Sequence, residues 1–307
     1  MRDPHFSIVI PTYNRQDFIL ATLESVFAQT YRNYEIIVVD NASSDRTKEL
    51  LSPYVSAGKI RWIEHDKNYE RARSRNTGIN NSNGDYLTFL DSDDFMRPNC
   101  LADAAAFAEA NPAVKVFHNL YELIDVNENI IYQYKFAPIK HRLRSIVAGN
   151  FMSCIGNFIH SDLYAHYQFD TNRDLTGAED WDYWMRVLAD HDIGRINQYN
   201  SAILQHPDRT INNQNIEAME RGLIHLVRKF RNDEHLSEVY KDYLDRIEAN
   251  SFLYLNLLAN DARLSNLAFG YLKSSVSSDA SVVFSERFLR SFRRTVLTWF
   301  REPKSGE

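Results

Sequence analysis

Cysteine is scarce in this 307-residue chain. Cys100 and Cys154 stand far apart and outside any CxxC or CxxH spacing, which argues against a zinc cluster or a disulfide framework and fits a reducing, cytoplasmic setting. Glycine numbers only ten, and no GxxxxGK[ST] or GxGxxG follows an apolar run, so neither a P-loop nor a dinucleotide fingerprint is there to hold phosphate. Long apolar runs are missing as well. No window is apolar and uncharged over the length that spans a bilayer, and Met1-Arg2-Asp3-Pro4-His5 leads into a short strand pattern rather than a signal-peptide core, so neither a membrane span nor an export leader is expected. Positive charge is also in short supply: a formal charge of -6 and a pI near 5.9 count against nucleic acid as a partner. The deficit is uneven, because residues 251–307 carry eight Lys/Arg against five Asp/Glu within that negative total.

What is present is ordinary globular material, 44% hydrophobic and 25% charged, enough for a domain of roughly 200 residues plus an appendage. Apolar runs at 6–10, 34–39, 59–64 and 85–90 read as strands, and the helical spacings between them, from Arg15 to Gln29, after Asp45 and over 70–80, read as crossovers. Strands alternating with helices predict an α/β fold with a mainly parallel sheet covered by helices. A helix near 100–110 and a strand-like stretch from Val114 to Ile124 follow, and from about residue 214 the pattern is almost wholly helical. The expected division is therefore an α/β domain over 1–213 and a helical C-terminal region over 214–307.

Ligands of open α/β sheets sit beyond the carboxyl ends of the strands. Three such ends are polar here: Pro11-Thr12-Tyr13-Asn14-Arg15, Asp40-Asn41-Ala42-Ser43-Ser44-Asp45 and Asp91-Ser92-Asp93-Asp94. Each taken singly can be turn and cap chemistry. Three acids crowded at one strand end repel one another unless a cation or a buried arginine neutralises them, and Mg²⁺ or Mn²⁺ would do so while completing its shell with water and phosphate oxygens. That expectation points to a pyrophosphate-bearing ligand.

The order PTYNR, VVDNASSD, RSRNTGINNSNGDYLTFLDSDD and GAEDW, spread over about residues 6–206, resembles glycosyltransferase family 2, whose fold is the Rossmann-like GT-A nucleotide-sugar fold. The resemblance implies an inverting transfer of a sugar from a UDP-sugar to the hydroxyl of a glycan or lipid-linked glycan, with Mn²⁺ or Mg²⁺, in surface-glycan synthesis. It implies that Pro11, Thr12, Tyr13 and Arg15 pack on base and ribose, and that Asp40 reads the N3–H of uracil. Arg75, Asn76, Asp91 and Ser92 fall beside nucleotide and donor sugar. Asp93 is implied as a direct metal ligand, with Asp91 helping, and His206 stands where the family places a metal-contacting histidine; an imidazole ligand favours Mn²⁺. Asp180 is the implied base, with Glu179 binding acceptor or orienting the pocket, although two acids in a first helical turn can simply complement the helix dipole. A nucleotidyltransferase and a non-catalytic nucleotide-sugar-binding protein are the rival readings. The first lacks a glycine- and lysine/arginine-rich loop after its first strand.

The tail lies outside the resemblance. On a helix from about 283 to 301, Phe284, Phe288, Phe292, Val296 and Trp299 fall on one stripe and Arg287, Arg290, Arg294 and Arg301 on the other side. Such a helix either lies on an anionic membrane surface, making the enzyme peripheral at the inner face of the cell membrane, or docks its stripe on the other C-terminal helices or on a second subunit, giving a homo-oligomer.

Overall fold

The structure, a computed structural model, describes residues 3–134, 139, 141–207, 209 and 215–301. Its contacts divide into two compact units: Met1–Arg142, Met152–Thr171 and Glu179–Asn212 form one, and Leu143–Phe151, Asn172–Ala178 and Asn213–Glu307 form the other. Two short segments from the middle of the chain thus belong with the C-terminal helices. The expected boundary at 213/214 lies outside the described residues.

Among the described residues the first unit is built on a nine-stranded sheet. Strands β1 (Phe6–Thr12), β2 (Tyr34–Asp40), β3 (Arg61–Glu64) and β4 (Tyr86–Phe89) run parallel in the order β3-β2-β1-β4. All seven residues of β1 are buried, as a central strand covered on both faces requires, and this is why its sequence is continuously apolar rather than alternating. The helices between these strands are α1 (Ile19–Phe27), α2 (Thr47–Ser56) and α3 (Arg71–Asn80). Ile8 and Ile10 pack on one side with Ile19, Leu23 and Val26 of α1, together with Leu101 and Ala104 of α4 (Cys100–Ala110). On the other side α3 presses so closely on β1 that a Cβ at Gly78 would lie 2.1 Å from Val9 Cγ1, so only glycine fits there.

Beyond β4 the sheet becomes mixed. The order continues β4-β8-β6-β9-β5, with β5 (Phe95–Met96), β6 (Val116–Ile124), β8 (Asn157–His160) and β9 (Ile193–Leu204). β8 is antiparallel to both β4 and β6, β9 is parallel to β6, and β7 (Ile130–Gln133) adds antiparallel to β6. The parallel character predicted from the βα alternation belongs to the first half of the sheet. Helix α7 (Glu179–Asp190) buries Trp184, Met185 and Leu188 completely, and Tyr183 stacks on Phe169 with ring centroids 4.1 Å apart.

The second unit contains α8 (Ile216–Asn232), α9 (Glu234–Val239), α10 (Leu244–Asp261), α11 (Ser265–Ser278) and α12 (Glu286–Arg301); of the short helices earlier in the chain, α5 (Arg142–Ala148) belongs to it from Leu143 on, and α6 (Ser161–Tyr164) belongs to the first unit. The apolar cluster Ala249, Leu253, Leu272 and Val282 joins α10, α11 and the turn before α12. A buried polar relay fixes the seating of α12. Asn256 and Asn260 donate to Thr295 Oγ1 at 2.8 and 3.0 Å, and Thr295 donates onward to Ser291 O at 2.9 Å. Among the described residues no helix is long and apolar enough to cross a membrane.

Candidate active site

The carboxyl ends of β2, β1 and β4 lie side by side, with Thr12 in register with Asp40. The loops leaving them are tied together by side chains that bond backbone. Asn14 holds a left-handed φ of 50°, and its Oδ1 accepts from Ser44 N at 2.8 Å while its own N–H donates to Ser43 Oγ at 2.9 Å. Asp45 accepts from Gln16 N and Thr47 N, both at 3.0 Å. Burial works against the charge of Asp45, but the bonds from Thr47 and Gln16 outweigh it and hold its carboxyl below the ordinary value. The result is a pre-formed rim in which Tyr13 is exposed and Pro11 and Thr12 are buried.

Asp40 lies at the bottom of this rim, 1% exposed. Burial raises its carboxyl above the ordinary value against the pull of two bonds from Ser43, one from N at 3.0 Å and one from Oγ. Asp40 is therefore a buried acceptor fixed from one side.

The three acids after β4 have three different partners. Arg75 donates to Asp91 at 3.0 Å, and Arg15 Nε to Asp93 at 3.2 Å. Asp94 is buried and accepts from Leu204 N at 3.0 Å, and its carboxyl is pushed well above the usual range by burial first and by Asp93 second. Charge crowding by itself therefore does not demand a metal here: arginines meet two of the acids, and burial works against the charge of the third. The oxygen of Asp93 that meets Arg15 also lies 3.2 Å from His206 Nε2, and His206 stacks against Phe18 with ring centroids 4.1 Å apart. The donor set at this point is one carboxylate and one imidazole, which suits Mn²⁺ or Mg²⁺ sharing its remaining positions between water and a diphosphate. Among the described residues no group of three or more His, Cys, Asp or Glu side chains gathers into a cage.

Glu179 and Asp180 open α7. Glu179 is buried, forms an ion pair with Arg71 Nε at 3.2 Å and accepts from Arg75 Nη1 at 3.2 Å. Asp180 is half-buried and caps its own neighbour, accepting from Trp181 N at 2.8 Å; burial and then repulsion from Glu179 push its carboxyl up to about 6. Of the two adjacent acids, Glu179 is held in ion pairs with two arginines and Asp180 is the one whose carboxyl is raised. Arg75, 2% exposed, joins Glu179 to Asp91 and lies over the ring of Phe169 at 5.3 Å.

The structure brings Asp91, Arg75, Glu179 and Asp180 into one network, and Arg15, Asp93 and His206 into a second. Ser92 is buried between them in sequence. Asn76 goes elsewhere: its amide donates to Phe169 O at 2.8 Å and accepts from Phe169 N at 2.7 Å, so both of its ends clamp backbone. Asp208 and Thr210, which follow His206 in the sequence, lie outside the described residues. Ser43 and Phe18 were not among the expected site residues, because a serine in a turn and a phenylalanine in a helix carry no signal of what they will touch.

The family model for glycosyl transferase family 2 matches residues 7–171, more than half of the chain. The chain belongs to that family. Among its relatives is Escherichia coli WfgD, named UDP-Glc:alpha-D-GlcNAc-diphosphoundecaprenol beta-1,3-glucosyltransferase, 30% identical over 197 residues that cover 64% of this chain and 75% of WfgD. An uncharacterized glycosyltransferase of Rickettsia felis is 27% identical over 275 residues, 88% of this chain but 44% of the relative, so the chain spans less than half the length of that protein. Solved structures share the fold, among them the two that follow. S. aureus TarS in complex with UDP-GlcNAc aligns with a TM-score of 0.67 and 19% identity over 96% of this chain and 89% of that one. The mannosyltransferase PcManGT from Pyrobaculum calidifontis, in complex with GDP-Man and Mn²⁺, aligns with a TM-score of 0.57 and 17% identity over 98% and 89%. The α/β unit of this family 2 member is a GT-A fold, followed by a helical C-terminal region.

Proposed function

We propose that this protein transfers a sugar from a UDP-sugar to an acceptor hydroxyl with inversion at the anomeric carbon. The observation that carries the reading is Asp180: a half-buried carboxyl raised to about 6 beside a Glu179 paired with two arginines, joined through Arg75 to Asp91 in the loop after β4. A base of that strength is ionised at neutral pH and still a useful proton acceptor. In the reaction the acceptor oxygen forms its bond to the anomeric carbon as the bond to the β-phosphate oxygen breaks; the hydroxyl proton goes to Asp180, and the electron pair leaves with UDP.

In this reading the rim of Pro11, Thr12, Tyr13 and Arg15 receives base and ribose, and Asp40 accepts a hydrogen bond from uracil N3–H. Asp93 and His206, with Asp91 nearby, would hold Mn²⁺ or Mg²⁺, which when bound supplies positive charge to the departing diphosphate. Glu179 orients the pocket and Arg75 keeps Asp91 and Glu179 in place. A UDP donor is supported by TarS, solved with UDP-GlcNAc, and a lipid-diphosphate-linked acceptor by the name of WfgD; in this reading the reaction belongs to surface-glycan synthesis.

Asp180→Asn keeps the shape of the side chain and removes its basicity. It should leave UDP-sugar binding within about twofold and lower transfer by about 10²-fold or more. A variant that turns over near the wild-type rate, or a product that retains the donor's anomeric configuration, would rule out Asp180 as base in a single displacement.

A further inference from the structure

Helix α12 has three faces, not two. Phe288 packs against the cluster of Ala249, Leu253, Leu272 and Val282, and Thr295 is buried in the asparagine relay, so one face is seated on the helical unit. Ser285 begins the helix, its Oγ accepting from Phe288 N at 3.1 Å, and Phe284 falls in the preceding 3-10 turn. A second face carries Leu289, Phe292, Val296, Trp299 and Phe300, which share a stripe by helical spacing. Phe300 is 70% exposed, Leu289 59%, Phe292 48% and Trp299 44%. A solvent-facing stripe of that size is what interaction surfaces look like, since isolated exposed apolar residues are ordinary but contiguous ones are not.

The third face is basic. By the same helical spacing Arg293 borders the apolar stripe, whereas Arg290, Arg294 and Arg301 fall toward the side away from it, as the sequence pattern suggested. Arg290 pairs with Glu286 and Arg294 with Asp261, while Arg293 and Arg301 are exposed. Glu286 is the one acidic residue of the helix against five arginines. Two copies meeting through this face would bring like charge against like charge. A surface of phosphates would meet the arginines with the opposite sign.

We propose that α12 docks on an anionic lipid bilayer, its aromatic stripe entering the boundary between headgroups and acyl chains and its arginines lying at the level of the phosphates. The helix lies along the surface; at 16 residues and five arginines it does not cross.

The test uses the full chain at low salt with vesicles of phosphatidylcholine alone and vesicles doped with phosphatidylglycerol. Sedimentation with the doped vesicles should exceed that with neutral ones by about tenfold or more and be released by added salt. Phe292→Ser with Trp299→Ser, and separately Arg293→Glu with Arg301→Glu, should each reduce vesicle binding by about tenfold or more, with an unchanged circular dichroism spectrum. UDP-sugar hydrolysis is measured alongside and should not change, so the fate of this surface is read apart from the fate of the transfer reaction. The proposal is overturned if the intact chain does not sediment with the doped vesicles, if neutral vesicles capture it equally, or if neither pair of substitutions weakens binding. A dimer of the intact chain that Phe292→Ser with Trp299→Ser dissociates would assign the face to a second copy instead.

Discussion

Arg75 on α3 and Arg293 on α12 are the same residue type in opposite situations. Arg75 is 2% exposed and spans two carboxylates, Asp91 and Glu179, that approach it from different elements of the α/β unit. Arg293 stands on the outer side of a helix whose basic row has one glutamate for company. Buried charge is tolerated only where geometry and hydrogen bonds match it, so Arg75 must be part of the fold wherever it is part of the site. Exposed charge costs the fold almost nothing and is open to an external partner. Arg75 therefore serves arrangement, while Arg293 is presented outward.

The largest effect that separates the two regions should come from removing divalent cations. Chelator should abolish transfer, Mn²⁺ or Mg²⁺ should restore it, and Asp93→Asn should impair donor binding and turnover more than Asp94→Asn, because Asp93 meets His206 whereas Asp94 is engaged by Leu204 N. Vesicle binding through α12 should be indifferent to the same chelator. Full transfer activity in chelator would remove the metal from the proposed mechanism and leave Arg15 as the cation beside Asp93.

Next in size is Arg75→Met. Taking one partner out of a buried pair leaves the other charge uncompensated, a loss of about 3–5 kcal/mol. Urea denaturation of the variant should show it as a lowered midpoint, and turnover should fall with it because Glu179 loses one of its two arginines. A variant as stable as wild type would mean that Arg71 alone suffices to hold Glu179, and that Arg75 is not the joint between the two loops.

A smaller and more selective separation comes from pH. Asp180 must be ionised to accept a proton, and its carboxyl is raised to about 6, so it is progressively protonated as the solution is acidified below that value. kcat/KM should accordingly fall by about tenfold per pH unit on the acid side of about 6 and level off above it. Vesicle binding through α12 does not involve Asp180 and should not follow that limb. An acid limb centred near the ordinary carboxylate value would say that Asp180 is not the group being titrated.

The uneven legibility of the two regions has the same physical root. Strands β1, β2 and β4 and helices α3 and α7 were readable because burial on both faces of a sheet, or on one face of a helix, writes a period into the sequence. The polar strand ends were readable because carboxylates and asparagines at such points have few other reasons to cluster. The pairing of Arg75 with Glu179, 104 residues away, was not, because nothing local distinguishes an arginine that will be buried from one that will be solvated. Asn76 shows the converse: its sequence neighbourhood suggested a ligand, and its amide is occupied by the backbone of Phe169. The mixed half of the sheet was hidden because antiparallel partners of β4 and β6 come from later in the chain than any local pattern reaches. On α12 one period revealed one stripe, but a helix that is packed on one side, apolar on a second and basic on a third carries more faces than a single periodicity can report.

The smallest effect offers the sharpest comparison, because it lies within one helix. Arg287 and Arg293 both belong to α12, yet Arg287 reaches Ala148 O at 2.5 Å and burial pulls its guanidinium down to about 10, while Arg293 is exposed. Arg287→Ala removes that bond and the packing of a half-buried side chain and should destabilise the fold by about 0.5–1.5 kcal/mol, the net worth of a hydrogen bond. Arg293→Ala should change stability by no more than about 0.5 kcal/mol. Vesicle binding should rank them the other way, falling for Arg293→Ala because that charge lies on the outer border of the stripe, and holding for Arg287→Ala because that one already faces the protein. Thermal unfolding and vesicle sedimentation on the same two variants measure both rankings. If Arg293→Ala unfolds as readily as Arg287→Ala, the basic row is part of the packing of the helical unit, and the distinction between arranged and presented arginines fails where it should be clearest.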